Sequence, residues 1–327
     1  MNSFKEKIFS VTEKNFDEAA LSLFHYQAQN NPVYRLYLKN LGINHDPINQ
    51  VPSIPFLPIR LFKSQIIKTG LWTEEIIFES SGTSSEKISY HYIEDIGYYH
   101  RTAGSIFNRF YGDLSGYVII ALLPSYLERK NSSLINMMDN FIRLTGSPDS
   151  GFYLNKNGEL LNIIRRVSLN KKKRLILWGV TYALIDLAQC CEVNLKDSIV
   201  IETGGMKGRR EDRVREEVHK ILYDHFQSES IHSEYGMAEL LSQAYSTRSG
   251  EFKTPPWMKI LLRDINDPFD MASDLKFGAV NIIDLANVHS CAFIETEDLG
   301  QLNRDGTFEI LGRVDNSDIR GCNMLLN

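Results

Sequence analysis

The hydrophobic positions change their period along the chain. From Phe16 to Gln29, FDEAALSLFHYQAQ spaces apolar residues as one face of a helix. Asp46-Pro47, Val51-Pro52, Ile54-Pro55 and Leu57-Pro58 then break any helix, because proline lacks the amide donor and pushes its predecessor out of the helical region. Later the pattern alternates. Short apolar runs predict strands at Tyr117 to Pro124 (YVIIALLP), Arg174 to Val180 (RLILWGV), Ser198 to Glu202 (SIVIE), Ala279 to Leu285 (AVNIIDL) and Cys291 to Glu295. Between and before them, helical spacing predicts Ile93 to Phe110 with Asp95 in its first turn, Ser132 to Arg143, Tyr182 to Cys191 and Arg209 to Phe226. Strands alternating with helices predict an α/β fold with substantial parallel pairing and flanking helices. Beyond residue 245 the chain is richer in strands and turns, which predicts a mixed-sheet subdomain.

The 327 residues suffice for one large core or two domains. Charge adds an exclusion. Lys plus Arg total 36 against 41 Asp plus Glu, a net charge of −5, so the chain as a whole has no electrostatic reason to bind nucleic acid or an anionic membrane. Its one basic run, Arg165-Arg166 followed by Lys171-Lys172-Lys173-Arg174, reads as a solvated edge. The first residues, MNSFKEKIFSVTEKNF, carry charges throughout and no apolar signal region. No apolar run approaches the ~18 residues of a membrane span, so a cytoplasmic location is the default expectation. The cysteines, Cys190, Cys191, Cys291 and Cys322, have neither CxxC nor zinc spacing and are expected as free thiols. Cys190-Cys191 reads as helix packing and Cys291 as core; Cys322 stands apart, in RGCNMLLN beside Arg320 and Gly321.

Four polar or glycine-rich loops follow or sit among the strand-like runs, where open α/β sheets bind ligands. FESSGTSSEK (Phe78 to Lys87) offers hydroxyls and amides for an anion nest, yet lacks the Walker spacing and alone reads as a polar turn. Glu202-Thr203-Gly204-Gly205-Met206-Lys207-Gly208 follows a strand, and its paired glycines allow close backbone approach to a flat ligand or make a plain β-to-α turn. Ser233-Glu234-Tyr235-Gly236-Met237-Ala238-Glu239-Leu240 offers a ring to stack a base and a carboxylate suited to Mg²⁺; His232 beside it reads as structural. Last come Glu297-Asp298-Leu299-Gly300, with an acceptor for a ribose diol, and Gly312-Arg313-Val314-Asp315, with a cation for phosphate.

Taken in order, SSGTSSEK, ETGGMKGR, HSEYGMAEL, the T-x-D-x-G element and GRVDNSDIRGCN resemble the motif series of the adenylate-forming enzymes. They are most similar to the acyl-protein synthetase (LuxE-like) branch related to phenylacetate–CoA ligase, over residues 78 to 324. The resemblance implies the large domain of those enzymes, with layered mixed β-sheets and flanking helices, over residues 1–312. A short tail, 313–327, carries Cys322. It also implies an ATP-dependent ligase using Mg²⁺. A carboxylic acid, expected to be a fatty acid, is adenylated and passed to a thiol, here Cys322, for delivery to an acyl reductase or another acceptor. An acyl-CoA or acyl-carrier ligase, and an inactive fold that scaffolds a reductase, are the rival expectations.

Carried over residue by residue, Ser80, Ser81, Gly82, Thr83 and Ser84 would hold the ATP phosphates with Lys87 nearby. Gly204 and Gly205 would line one adenine face and Tyr235 the other, with Gly236 also among the cofactor-binding residues. Glu239 would hold Mg²⁺, Asp298 the ribose, and Arg313 ribose or phosphate. The sequence departs from the family pattern at Ser85, Ala238 and Glu297, which stand where glycine, threonine and glycine are usual. Only fifteen residues follow Gly312, where the family usually continues into a lysine-bearing small domain. This implies that core cations or a partner meet the adenylating charge, and that the tail itself carries the nucleophile.

Overall fold

The computed structural model describes residues 2–81, 87–124, 129–154, 157–170, 172–190, 193–204, 215–229, 231–247, 250–267, 270–271 and 275–313. Its helices are α1 (Asn2–Lys7), α2 (Phe16–Asn30), α3 (Pro32–Asn40), α4 (Ile96–Tyr111), α5 (Ser133–Thr145), α6 (Asn157–Asn170), α7 (Thr181–Cys190) and α8 (Arg215–Phe226). The strands are β1 (Leu57–Pro58), β2 (Ile76–Glu79), β3 (Tyr90–Ile93), β4 (Tyr117–Leu122), β5 (Gly151–Phe152), β6 (Arg174–Val180) and β7 (Ile199–Thr203). They continue with β8 (Ile231–Tyr235), β9 (Ala244–Ser246), β10 (Phe252–Lys253), β11 (Met258–Arg263), β12 (Phe277–Asp284), β13 (Phe293–Leu302) and β14 (Phe308–Arg313).

The predicted helices are found with shifted starts, and caps explain two of the shifts. Ile93 closes β3, and Asp95 is the N-cap of α4, accepting from the Tyr98 amide at 2.8 Å. Ser132 caps α5 through the Ile135 amide at 3.4 Å. The helix expected from Arg209 is described from Arg215 onward.

Twelve strands form one sheet in the order β11-β12-β13-β14-β10-β9-β8-β7-β6-β4-β5, with β1 beside β13; β2 and β3 form a separate hairpin. From β5 to β8 the pairing is parallel; from β8 to β11 it is antiparallel. The strands beyond residue 245 therefore continue the same sheet rather than forming a subdomain, because β9 turns back directly along β8. The chain leaves β4 through α5 to β5, then returns through α6 to β6 on the other side of β4. Strand order reverses there, and open α/β sheets bind ligands beyond the carboxyl ends at such a reversal.

Alternate residues of the parallel strands enter two cores, as the period-2 geometry requires. Ile119, Ala121, Ile176, Trp178, Ile199 and Ile201 pack toward α4 and α5. Val118, Ile120, Leu122, Leu175, Leu177 and Val200 pack toward α6, α7 and α8. Gly179 permits the close approach of α7, since a Cβ there would lie 3.0 Å from Leu184 Cγ. Cys291 is core as expected, burial pushing its thiol up to about 12, whereas Cys190 is exposed at the end of α7 rather than packed. Cys191 lies outside the described residues. Among those described, no helix is long and apolar enough to cross a membrane.

The connection between β12 and β13, residues 285–292, is buried throughout. Buried backbone must find partners. The Gln27 amide of α2 donates to the carbonyls of Asn287 (2.8 Å), Val288 (3.2 Å) and Ser290 (3.3 Å), and its oxygen accepts from Ala292 N at 2.9 Å. Asn31 donates to Ser290 O at 3.0 Å. At the head of this connection Asp284, fully buried, accepts from Leu241 N (2.9 Å), Ser242 N (2.9 Å), Ser242 Oγ (2.7 Å) and Ala286 N (3.1 Å). Asp284→Ala would leave four donors unsatisfied, so a stability loss of about 3 kcal/mol or more is expected in urea denaturation. A loss below about 1 kcal/mol would show that the network is not needed.

Candidate functional site

The carboxyl ends of β7 and β8 deliver the first two groups. Gly204 follows Thr203 with φ +83°, a left-handed conformation that favours glycine; among the described residues a Cβ there would meet Val180 Cγ1 at 3.9 Å. Gly236 needs glycine for a different reason. A Cβ there would meet Glu234 Oε1 at 2.5 Å, and Glu234 is held by the Thr203 hydroxyl, which donates to its other oxygen. Glu234 is buried at the strand end and was not among the residues singled out from sequence. His232 is structural, as expected. It stacks on Tyr111 with Nδ1 3.1 Å from the Tyr111 hydroxyl, and burial pushes it down to about 4.

The β13–β14 hairpin brings two further candidates to the same place. Asp298 faces Arg313 in the strand register. The Tyr235 hydroxyl donates to Asp298 Oδ2 at 2.6 Å, while Arg313 lies 3.7 Å from Oδ1 and bonds Glu297 at 3.1 Å. The Tyr235 ring packs against Phe252 and Phe308 at 5.8 and 5.6 Å. Burial raises the Tyr235 pKa well above its ordinary value, and the charge and hydrogen bond of Asp298 raise it further, so the hydroxyl stays a donor.

Glu239 is buried on the turn between β8 and β9, and its backbone carbonyl accepts from Asn287 Nδ2 at 2.9 Å. Its charge is among those that raise the Tyr235 pKa. Among the described residues no group of three or more His, Cys, Asp or Glu is placed to hold a metal. The first loop is the connection of the β2–β3 hairpin rather than the end of a parallel strand. Ser80 closes the neck of that hairpin: its amide donates to Ser89 O at 3.1 Å and its hydroxyl accepts from Ser89 N at 2.9 Å. Ser81 and Lys87 are exposed at its two sides. Gly82, Thr83, Ser84, Ser85, Gly205 and Cys322 lie outside the described residues.

One contact fixes the hairpin against the turn that carries Glu239. His91 of β3, fully buried, has Nδ1 2.8 Å from the Ala238 carbonyl. Burial pushes His91 down to about 4, so at neutral pH it is uncharged with the proton on Nδ1 donating to that carbonyl. Sequence alone gave no signal for this, since an isolated histidine in a strand has no motif.

A second polar cluster lies on the α8 side of the sheet. Glu202 accepts from Thr181 Oγ1 at 2.9 Å and from Arg215 Nε at 3.3 Å, with His219 Nε2 3.8 Å away. His219 Nε2 is also 3.0 Å from Ser233 Oγ. A serine, a histidine and a carboxylate meet here, but on one ring nitrogen, so the acid cannot orient the ring for proton relay as a hydrolytic triad requires. Arg215 lies over the Phe252 ring at 4.8 Å and reaches Ile310 O at 3.5 Å, tying the parallel strands to β10 and β14.

Comparison of the sequence with protein-family models and with curated proteins returns no match. Comparison with solved structures does. ATP-bound MatB from Rhodopseudomonas palustris matches with a TM-score of 0.55 at 15% identity, over 74% of this chain and 49% of that one. O-succinylbenzoate coenzyme A synthetase (MenE) from Bacillus subtilis, in complex with ATP and magnesium ion, matches at 0.53 and 14%, over 75% and 51%. The luciferase-like enzyme of the nonluminescent Zophobas morio mealworm matches at 0.50 and 16%, over 76% and 60%. The fold is thus that of the large domain of adenylate-forming enzymes, and the chain spans about half the length of the first two structures.

The Glu202 cluster has a testable electrostatic signature. Burial opposes ionisation, but the polar neighbours His219, Arg215 and Ser233 outweigh it and hold the carboxyl down at about 2. A folded pKa below the ordinary value means stability that is full above the unfolded pKa and is lost as pH falls toward the folded one. Wild type should therefore exceed Glu202→Gln by roughly 2–3 kcal/mol near pH 6, with the gap narrowing from about pH 4.5 downward. A gap that does not change between pH 6 and 3 in denaturant titrations contradicts the assignment.

Proposed function

We propose that this protein is an ATP-dependent acid–thiol ligase that adenylates a carboxylic acid and loads the acyl group on Cys322. The observation that carries the reading is the meeting of Tyr235, Asp298 and Arg313, drawn from three separate sequence motifs, beside the glycine turn at the end of β7 in this fold. These residues fit a nucleotide. Tyr235 is a half-buried ring held from one side by Phe252 and Phe308, Asp298 is an acceptor for sugar hydroxyls, and Arg313 is an exposed cation within reach of both. Glu239 is a single carboxylate on a rigid turn, and Mg²⁺ commonly takes one or two protein carboxylates with the remaining ligands from phosphate and water.

The chemistry follows from leaving-group quality. A carboxylate is a poor electrophile because oxide is a poor leaving group. In the first step its oxygen attacks the α-phosphorus of ATP, and the bond to pyrophosphate breaks, pyrophosphate taking the electron pair. In the second, the thiolate of Cys322 attacks the acyl carbon, and AMP departs with the electron pair of the C–O bond. The role of Cys322 rests on the motif resemblance, as does a fatty acid as the substrate and an acyl reductase as the recipient.

A second reading, a non-catalytic fold that holds a reductase, is favoured by one observation. Glu297, in place of glycine, pairs with Arg313 and competes with any ligand for that cation.

ATP–pyrophosphate exchange across a panel of carboxylic acids separates the two. Acid-dependent exchange is expected, reduced at least about tenfold in Glu239→Ala. Cys322→Ser should retain exchange but lose the covalent acyl label; acylation of that variant would rule Cys322 out. Absence of exchange with every acid, with and without a reductase, would leave the scaffold reading.

A further inference from the structure

Glu297 belongs to two places at once. Its Oε2 accepts from Arg313 Nη2 at 3.1 Å, and the residue also lines a small cavity of about 30 Å³ between β1 and β13. Pro58 of β1 lies in parallel register with Glu295 of β13. The short 3-10 helix that follows, Ile59–Lys63, sets Arg60 against the same cavity, and Arg263 at the end of β11 and Glu295 complete its charged lining. A space of this size holds a water or two, and it leaves a neighbouring side chain room to change its direction.

The two arginines of the cavity are not equivalent. Arg263 is committed, with its side chain 8% exposed. It donates to the carbonyls of Val280 (3.4 Å) and Thr296 (3.0 Å), to Asn281 Oδ1 (3.3 Å) and to Glu295 Oε1 (3.4 Å). Arg60 is exposed and forms no hydrogen bond or ion pair with the described residues. Its charge nonetheless acts inside the cavity. Burial raises the Glu295 pKa, Arg263 and Arg60 pull it back, and Glu297 pushes it up, so all four charges stand in one another's field.

We infer that Arg60 is the second partner of Glu297, a positioning residue that takes over this carboxylate when Arg313 turns to a bound nucleotide. The inference rests on the nucleotide site proposed above. A guanidinium that meets a phosphate with both arms of its fork gives up its bond to Glu297. Glu297 is then an unpaired anion beside a more highly charged one, which opposes binding. Arg60, on the same cavity and without a partner of its own, removes that opposition by drawing the carboxylate toward itself. Arg263 cannot do so without abandoning Glu295 and two backbone carbonyls.

The test is the affinity of the full chain for ATP with Mg²⁺, measured by titration calorimetry at about 50 mM salt, where an exposed pair is little screened. Arg60→Gln should weaken binding about three- to fivefold, the size of a partly exposed ion pair, and Arg60→Lys should restore most of the loss. Glu297→Gly should tighten binding, and adding Arg60→Gln to it should change the affinity by less than about 1.5-fold. The Arg60 variants should keep the wild-type thermal unfolding midpoint. An unchanged affinity in Arg60→Gln would overturn the inference. So would an equal loss in the Glu297→Gly background, which would assign Arg60 a direct pull on the phosphates instead. Failure of the wild-type protein to bind ATP at all would remove the nucleotide site itself, and this inference with it.

Discussion

The burial of the irregular connection at residues 285–292 is the constraint on which much of this structure depends. A loop inside a core exposes its amides and carbonyls to a medium that cannot solvate them, and each unmet group costs about 1–3 kcal/mol. Gln27 and Asn31 meet the carbonyls from α2 and its flank, and Asp284 turns both its oxygens to surrounding donors. The same connection reaches the hairpin of the first loop, because His289 Nδ1 lies 2.9 Å from Glu94 Oε2 at the end of β3, and Lys5 Nζ bonds that same oxygen at 2.7 Å. Burial pushes His289 down to about 4, so the ring enters this contact neutral at ordinary pH. Three parts far apart in sequence are thereby indexed to one backbone segment: the amino-terminal helices, the β2–β3 hairpin and the turn bearing Glu239.

That indexing gives the candidate site its rigidity. Asp284 holds Leu241 and Ser242, Asn287 holds the Glu239 carbonyl, and His91 holds the Ala238 carbonyl. The turn from Met237 to Ser242 is therefore fixed from the hairpin on one side and the buried connection on the other. Ala238 contributes its backbone carbonyl to this arrangement. A group held by its backbone keeps its position when its side chain is exchanged.

The sequence made the regular elements legible because their signal is local. The apolar run from Tyr117 and the run from Arg174 became β4 and β6 within two residues of their expected ends, and Tyr235, Asp298 and Arg313, singled out in three separate motifs, lie together. It hid the groups that act at a distance. Gln27 sits on a helix whose pattern allowed it to face solvent, and its partners are some 260 residues away. Nothing in the sequence marks Glu202 and Glu234 as buried; the packing of α8 and the Gly236 turn show it. The two-residue strands β5 and β10 carry too little periodicity to be read, though each joins the sheet by pairing with neighbours.

The contacts around Asp298 differ in how easily each yields to a ligand. Tyr235 packs against two phenylalanines that touch each other, and its bond to Asp298 is short, so its position is set by the fold. Arg313 is 64% exposed, and its pair with Glu297 is a surface ion pair, a class worth about 0–1 kcal/mol once side-chain entropy and solvent screening are counted. A phosphate offers the same guanidinium a bidentate partner with more charge. Substitution of glycine by Glu297 therefore opposes Arg313 by less than a bound phosphate would favour it. The rigid tyrosine fixes where a base and sugar would lie, and the loosely held arginine is the element free to follow the charge.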